Sequence, residues 1–158
     1  MIMKLFCLLV FSFVFVAAQE TGPEGFQLWS ASSLAQTAQE LKKESASNPH
    51  HIATRKLADF QNDLFMLSHR EADGIDEWHE TQADVFFIQL GSATLLVGGN
   101  MVGGETVEPH EKRNGKIEGG TSYKLSARDV IRIPPKTPHQ ILLGGSKFTY
   151  FVIKVKGY

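Results

Sequence analysis

Hydrophobic and polar positions divide the chain into three textures. Residues 5–16 are an almost unbroken apolar run. Between residues 33 and 44 the apolar positions thin out to Leu34, Ala38 and Leu41, with Gln36, Gln39, Glu40, Lys42 and Lys43 elsewhere. That spacing predicts one modest amphipathic helix, capped by Ser30 or Ser33 and broken over residues 45–49. It would lie on the outside of something larger. From His50 onward the period shortens to two. Strands are expected at 52–57, 64–70, 84–90, 94–97, 121–125, 129–133, 139–143 and 147–155, with a short polar strand carrying Glu77 and His79. Gly91 is expected to make a turn between two of them. The polar stretch 105–120 reads as a long loop with at most a short strand at its start. In the last strand Phe148, Tyr150 and Val152 share one face, and Phe151, Ile153 and Val155 the other, so both faces should be covered. Regular short strands with a single N-terminal helix predict an all-β antiparallel sandwich or barrel.

The first texture bears on organisation. Lys4, the apolar run and Val16-Ala17-Ala18 have the pattern of a cleavable signal peptide. The run is short for a membrane span. Residues 1–18 are therefore expected to be removed, leaving Gln19 or a neighbour first and the protein secreted or periplasmic. Residues 19–51 would be a leader and the helix, and 52–158 the barrel. The single cysteine, Cys7, falls inside the run, so the mature chain would have no disulfide and would depend on a packed core. About 140 residues suffice for one such core. With 16 Lys and Arg against 17 Asp and Glu and no basic stripe, nucleic acid is not an expected partner.

Candidate chemistry gathers between Gly74 and Gly91 and again near His139. Glu77 and His79 share a strand face. Asp84 is in line with Phe86, Ile88 and Leu90, and a carboxylate on such a face needs a partner. His79 is the nearest candidate; Arg132 is another. His139 follows the proline-rich turn Ile133-Pro134-Pro135-Lys136-Thr137-Pro138. His69, His110 and the His50-His51 pair read as structural or exposed, and Trp78 as packing against the helix or a subunit. No Ser/His/Asp order, reactive cysteine or carboxylate pair supports acyl transfer or glycoside hydrolysis.

These residues resemble the cupin family. Its first motif is Gly, a gap, His-x-His, three or four residues, Glu, six residues, Gly. Asp84, six residues and Gly91 match its end, His79 matches its second His, and Glu77 stands at the first. The second motif is Gly, five residues, Pro-x-Gly, two residues, His, three residues, Asn. Pro134 and His139 keep their places, while Arg128, Lys136 and Leu143 replace Gly, Gly and Asn. The resemblance covers roughly residues 64–155. It implies a double-stranded β-helix, or jelly-roll, barrel.

It also implies one divalent transition metal (Zn, Mn, Fe or Ni) held inside the barrel by Glu77, His79, Asp84 and His139. Two imidazoles and two carboxylates suit such ions, and His79, His139 and Asp84 alone would make a facial triad of the non-haem iron type. A strand bulge would turn Glu80 inward instead of Glu77. Without metal, the two His would simply hydrogen-bond Asp84. Two functions stay open: a metal-dependent oxygenase, isomerase or lyase acting on a small polar molecule, and a metal-free, non-catalytic small-molecule-binding or structural barrel. In the second, the pocket between Phe86, Ile88, Ile141 and the two His would hold a ligand without turnover. Cupins often pair, so a homodimer is the expected assembly.

Overall fold

The computed structural model describes residues 22–158. The expected signal peptide and its cleavage point lie outside them. Among the described residues no helix is long and apolar enough to cross a membrane.

The helix α1 (Ala31–Ser47) starts where Ser30 Oγ accepts a hydrogen bond from Ser33 N at 3.1 Å, satisfying a free amide of the first turn. It runs one turn beyond the expected end. Its buried stripe extends Leu34, Ala38 and Leu41 to Ser45. Leu41 is fully buried against Ala53 and Leu67, with Leu57 and Phe151 at the edge of the cluster. Arg55 clamps the polar side, 2.6 Å from Glu44 and 3.4 Å from Glu40.

The strands β1 (Ile52–Asp59), β2 (Asp63–Arg70), β3 (Glu77–His79), β4 (Gln82–Val97), β5 (Asn100–Glu108), β6 (Glu111–Glu118), β7 (Thr121–Ser126), β8 (Val130–Ile133), β9 (His139–Leu142) and β10 (Phe148–Lys156) pair antiparallel throughout. They form two layers. The first has the order β1-β2-β10-β4-β8, and the second β7-β4-β9-β3-β6-β5. β4 belongs to both: its first part pairs with β10 and β8, its last six residues with β7 and β9.

Gly91 marks the change of layer. It is not the expected turn but a bend inside one continuous strand. Its φ is +86°, and a Cβ there would run into the Lys147 carbonyl, so the crossing strand demands glycine. A register shift opposite Thr149 and Tyr150 turns Leu90 outward, 63% exposed, off the Asp84–Phe86–Ile88 face.

The second departure is the 105–120 stretch, which forms most of the hairpin β5–β6. Every residue of β5 is exposed or half-exposed, so no apolar alternation announces the strand. Backbone pairing alone carries it, at the edge of the second layer.

The main core lies between the layers. Phe86, Ile88, Leu95, Ile141, Phe148 and Val152 are among its buried members, and Phe148 is fully buried. Beside it the layers leave a cavity of about 390 Å³, whose wall includes Phe86, Tyr150 and Val152.

Candidate metal centre

β3 has three residues, yet it carries two of the expected ligands. Its neighbours hold it in place. Gly74 N donates to Ile141 O at 2.7 Å, and Gln140 Nε2 donates to Gly74 O at 2.8 Å. Gly115 N donates to Asp76 Oδ2 at 2.7 Å. At the other end, Lys136 N donates to His79 O at 2.7 Å, which pins the proline-rich turn onto the strand.

Register does the rest. Glu77 is opposite His139, and His79 is opposite Glu111, so these four side chains share the inner face of the second layer. Asp84 is opposite Lys154 on the inner face of the first. The layers face each other, and the groups meet. One ligand atom from each of Glu77, His79, Asp84 and His139 lies within 4.8 Å of all the others. The two imidazole rings are 5.4 Å apart, centre to centre.

His139 is the most informative of them. Its Nδ1 lies 3.1 Å from Thr137 O, a contact that only an N–H can make, so Nδ1 donates. In the neutral ring that a metal would bind, Nε2 then carries the lone pair. It is buried, has no hydrogen-bond partner, and points at Asp84 Oδ2 at 3.3 Å and Glu77 Oε2 at 3.8 Å. A lone pair facing two carboxylates calls for a cation between them.

His79 Nε2 lies 3.4 Å from the same Asp84 oxygen, and Nδ1 is 3.2 Å from Glu111 Oε1. Arg113 sits behind the carboxylates, 3.1 Å from Glu111 and 3.4 Å from Glu77. Tetrahedral sites with bonds of about 2.0–2.2 Å place neighbouring ligand atoms about 3.3–3.6 Å apart. The 3.3 and 3.4 Å edges to Asp84 Oδ2 are of that size, the 3.8 Å edge to Glu77 is longer, and the donor chemistry suits a divalent ion.

Lys154 was not among the expected residues. Its Nζ lies 2.9 Å from His79 Nε2 and 3.0 Å from Asp84 Oδ1, with only 12% of the side chain exposed. It therefore contacts two of the atoms a metal would need. Two donors do not face each other at 2.9 Å, so Nζ and Nε2 share one proton at this contact.

The charges explain the titration. Burial pulls His79 toward its neutral form, but the Asp84 and Glu111 carboxylates outweigh that and raise it to about 9. Burial alone would raise Asp84; the imidazoles of His139 and His79 and the Lys154 ammonium hold it well below the usual carboxylate range instead. Glu111 is lowered chiefly by His79, against its own desolvation.

The other candidates lie elsewhere. Glu80 pairs with His110 on the surface at 2.7 Å, so Glu77 faces the centre. Arg132 donates to Tyr158 Oη at 2.7 Å and is not the partner of Asp84. His50 and His51 are exposed beyond α1. His69 is buried on the outer face of the first layer, bound to Thr149 Oγ1 at 2.7 Å. Trp78 packs under Lys112, whose Nζ is 5.4 Å from the ring centre, and not against the helix. Phe86 lines the cavity, whereas Ile88 and Ile141 belong to the packed core. Lys154 could have been found, because it continues the inward face of Phe148, Tyr150 and Val152; Glu111 was hidden in the polar hairpin.

No family model matches the sequence. No curated protein matches it either. Solved structures do match in fold. KdgF from Halomonas sp. superposes with a TM-score of 0.51 at 13% identity, over 71% of this chain and 85% of that one. An uncharacterized conserved protein with a double-stranded β-helix domain from Klebsiella pneumoniae gives 0.52 at 15% identity, over 70% and 81%. The Cnp3 cupin domain of Schizosaccharomyces pombe gives 0.50 at 10%, over 66% and 64%. The chain has the cupin fold, a double-stranded β-helix.

The second motif keeps its backbone without its glycines. Arg128 has φ +80° and Lys136 φ +59°, left-handed conformations at the two positions where the motif has Gly. Two non-glycine residues thus adopt the bends that the pattern requires, which supports the register assigned to His139.

Proposed function

We propose that the chain is an exported cupin whose barrel holds one divalent transition metal on Glu77, His79, Asp84 and His139 and binds a small polar molecule in the adjoining cavity. The observation that carries this reading is the orphaned lone pair of His139 Nε2, aimed at the Asp84 and Glu77 carboxylates. Thr137 fixes the tautomer, Asp84 supplies an anionic ligand shared by both imidazoles, and Glu111 and Arg113 orient the set from behind. A bound metal would supply a Lewis acid at the cavity wall. Elemental analysis of protein purified without a His tag tests it. About one equivalent of Zn, Mn, Fe or Ni per chain is expected. No metal, both as purified and after incubation with these ions, would overturn it.

Lys154 favours a second reading, a metal-free barrel that binds its ligand without turnover. The ammonium would then be the resident cation, neutralising Asp84. Metal-titration calorimetry on the stripped protein separates the two, since only the first predicts a saturable site.

Export is supported by Lys4, the apolar run and Ala17-Ala18. N-terminal sequencing of the exported protein should read from Gln19 or a neighbour; a chain retaining Met1 in the membrane fraction would contradict it.

A further inference from the structure

The cavity contains a buried cation that nothing in the metal centre uses. Arg70, at the end of β2, is 9% exposed and lines the cavity wall. Its Nη2 donates to Tyr150 Oη at 2.8 Å. Its Nε is buried and has no hydrogen-bond partner. Among the described residues no carboxylate lies within the 4.0 Å of an ion pair. The contrast with the other partly buried cations is sharp. Lys154 has Asp84, Arg113 has Glu77 and Glu111, and Arg55 has Glu40 and Glu44. A guanidinium cannot escape burial by losing its proton, so an unpaired one is costly unless an anion joins it.

The surroundings are built for that anion. A Cβ on Gly74 would overlap Arg70 Nη1, so the guanidinium packs directly on glycine backbone. Tyr150 Oη accepts from Arg70 and keeps its own proton to give. On the same inner face, Thr54 and Ser68 share a hydrogen bond of 2.6 Å that uses one hydroxyl proton and leaves the other. The cavity's other cations, Lys154 and Arg113, are already paired with Asp84, Glu77 and Glu111, so the Arg70 end of the wall offers one free positive charge, a planar fork and two spare hydroxyl donors. That suits a carboxylate. A phosphate, with its higher charge, would want more than one cation.

The wall also leads to the metal centre. Arg70 lies against the Tyr150 ring (5.6 Å), Tyr150 against Phe86 (5.1 Å) and Phe86 against His139 (6.4 Å). The volume of about 390 Å³ is that of a small-molecule pocket.

We propose that Arg70, with Tyr150 and the Thr54–Ser68 pair, is a carboxylate-binding subsite, so that the ligand is a small carboxylic acid extending from Arg70 toward His139. This rests on the reading that the cavity binds a small molecule, but not on metal being present.

The test is calorimetry with acetate, benzoate and gluconate, each set against its uncharged counterpart (acetamide, benzamide, sorbitol), and with inorganic phosphate. At least one carboxylate should bind while its counterpart does not. Arg70→Gln should weaken that binding by about tenfold or more, the size expected for charge-assisted hydrogen bonds. Arg70→Lys, which keeps the charge but loses the fork, is the variant to use if the first does not fold, and should also bind more weakly. Metal content should be the same in wild type and both variants. Equal binding of charged and neutral probes, tighter binding of phosphate, no binding of any carboxylate, or unchanged binding in the folded variants would overturn the subsite. A protein without metal that still binds carboxylates through Arg70 would overturn the metal reading alone.

Discussion

His139 and His69 are buried to the same degree, each 2% exposed, on different layers of the sandwich. His69 lies on the outer face of the first layer. Nδ1 is 2.7 Å from the Thr149 hydroxyl and Nε2 is 3.3 Å from Glu71. Both ring nitrogens are satisfied, one of them by a neutral group. His139 lies on the inner face of the second layer with one nitrogen satisfied by backbone and the other facing carboxylates without a hydrogen-bond partner. Burial does not distinguish a structural histidine from a candidate ligand. What distinguishes them is whether a lone pair is left over, and what it points at.

Exchanging each for alanine should separate the two roles. His139→Ala should lower metal affinity by at least about a hundredfold, the upper end of what losing a supporting partner alone costs. Without metal it should cost no more stability than His69→Ala does. His69→Ala should leave metal affinity alone and destabilise the fold by about 1–3 kcal/mol, because Thr149 and Glu71 lose their buried partner. Metal titration and denaturant unfolding on both variants read the crossover.

Lys154→Met sharpens the contrast from the other side. It removes the cation that competes for Asp84 and His79. Without metal, Asp84 is left buried beside imidazoles alone, at a cost of about 3–5 kcal/mol for breaking a buried pair. Added metal should restore more stability to this variant than to wild type, and bind it more tightly. Thermal melts with and without metal measure both.

The titration of the centre should show in its pH dependence. His79 is raised from 6.5 to about 9, so the metal-free fold binds this proton more tightly than the unfolded chain does. Its contribution to metal-free stability is full below pH 6.5 and is lost as pH rises toward about 9. Asp84 and Glu111 shift the opposite way: their contributions hold above the usual carboxylate range and fade as pH falls below it. Metal must displace the proton that His79 Nε2 and Lys154 Nζ share, so apparent metal affinity should climb with pH up to about 9. A flat affinity between pH 6.5 and 9 would show that this proton does not compete.

The smallest effect is expected at the exposed pair. Glu80→Gln and His110→Ala break a contact of 2.7 Å between side chains that are 43% and 58% exposed. Stability should stay within about 0.5 kcal/mol, with metal content unchanged.

The barrel was legible because its core strands alternate: β2, β9, β10 and the first part of β4 lie within a residue or two of their expected bounds. β5 and β6 were not, because the edge strand β5 is exposed on nearly every residue and β6 buries only Glu111 and Ile117, so neither shows an apolar alternation. Gly91 was read as a turn because glycine marks both a reversal and a bend, and only the pairing on either side tells them apart. The cluster of side chains was legible through the spacing of His79, Asp84 and His139, with the register of β3 choosing Glu77 over Glu80. Lys154 was overlooked for a physical reason: a charged residue at the end of an apolar strand reads as its solvent-facing end. Here the strand continues into the centre, and opposite Asp84 the ammonium has a partner.

The most direct test of the account is an anomalous-scattering crystal structure of the protein soaked with zinc. The account predicts one strong peak about 2.0–2.2 Å from a ring nitrogen of each of His79 and His139 and from an Asp84 oxygen, with Lys154 Nζ withdrawn from both partners. Lys154 still seated on Asp84 and His79 at saturating zinc, with no peak between the imidazoles, would contradict it.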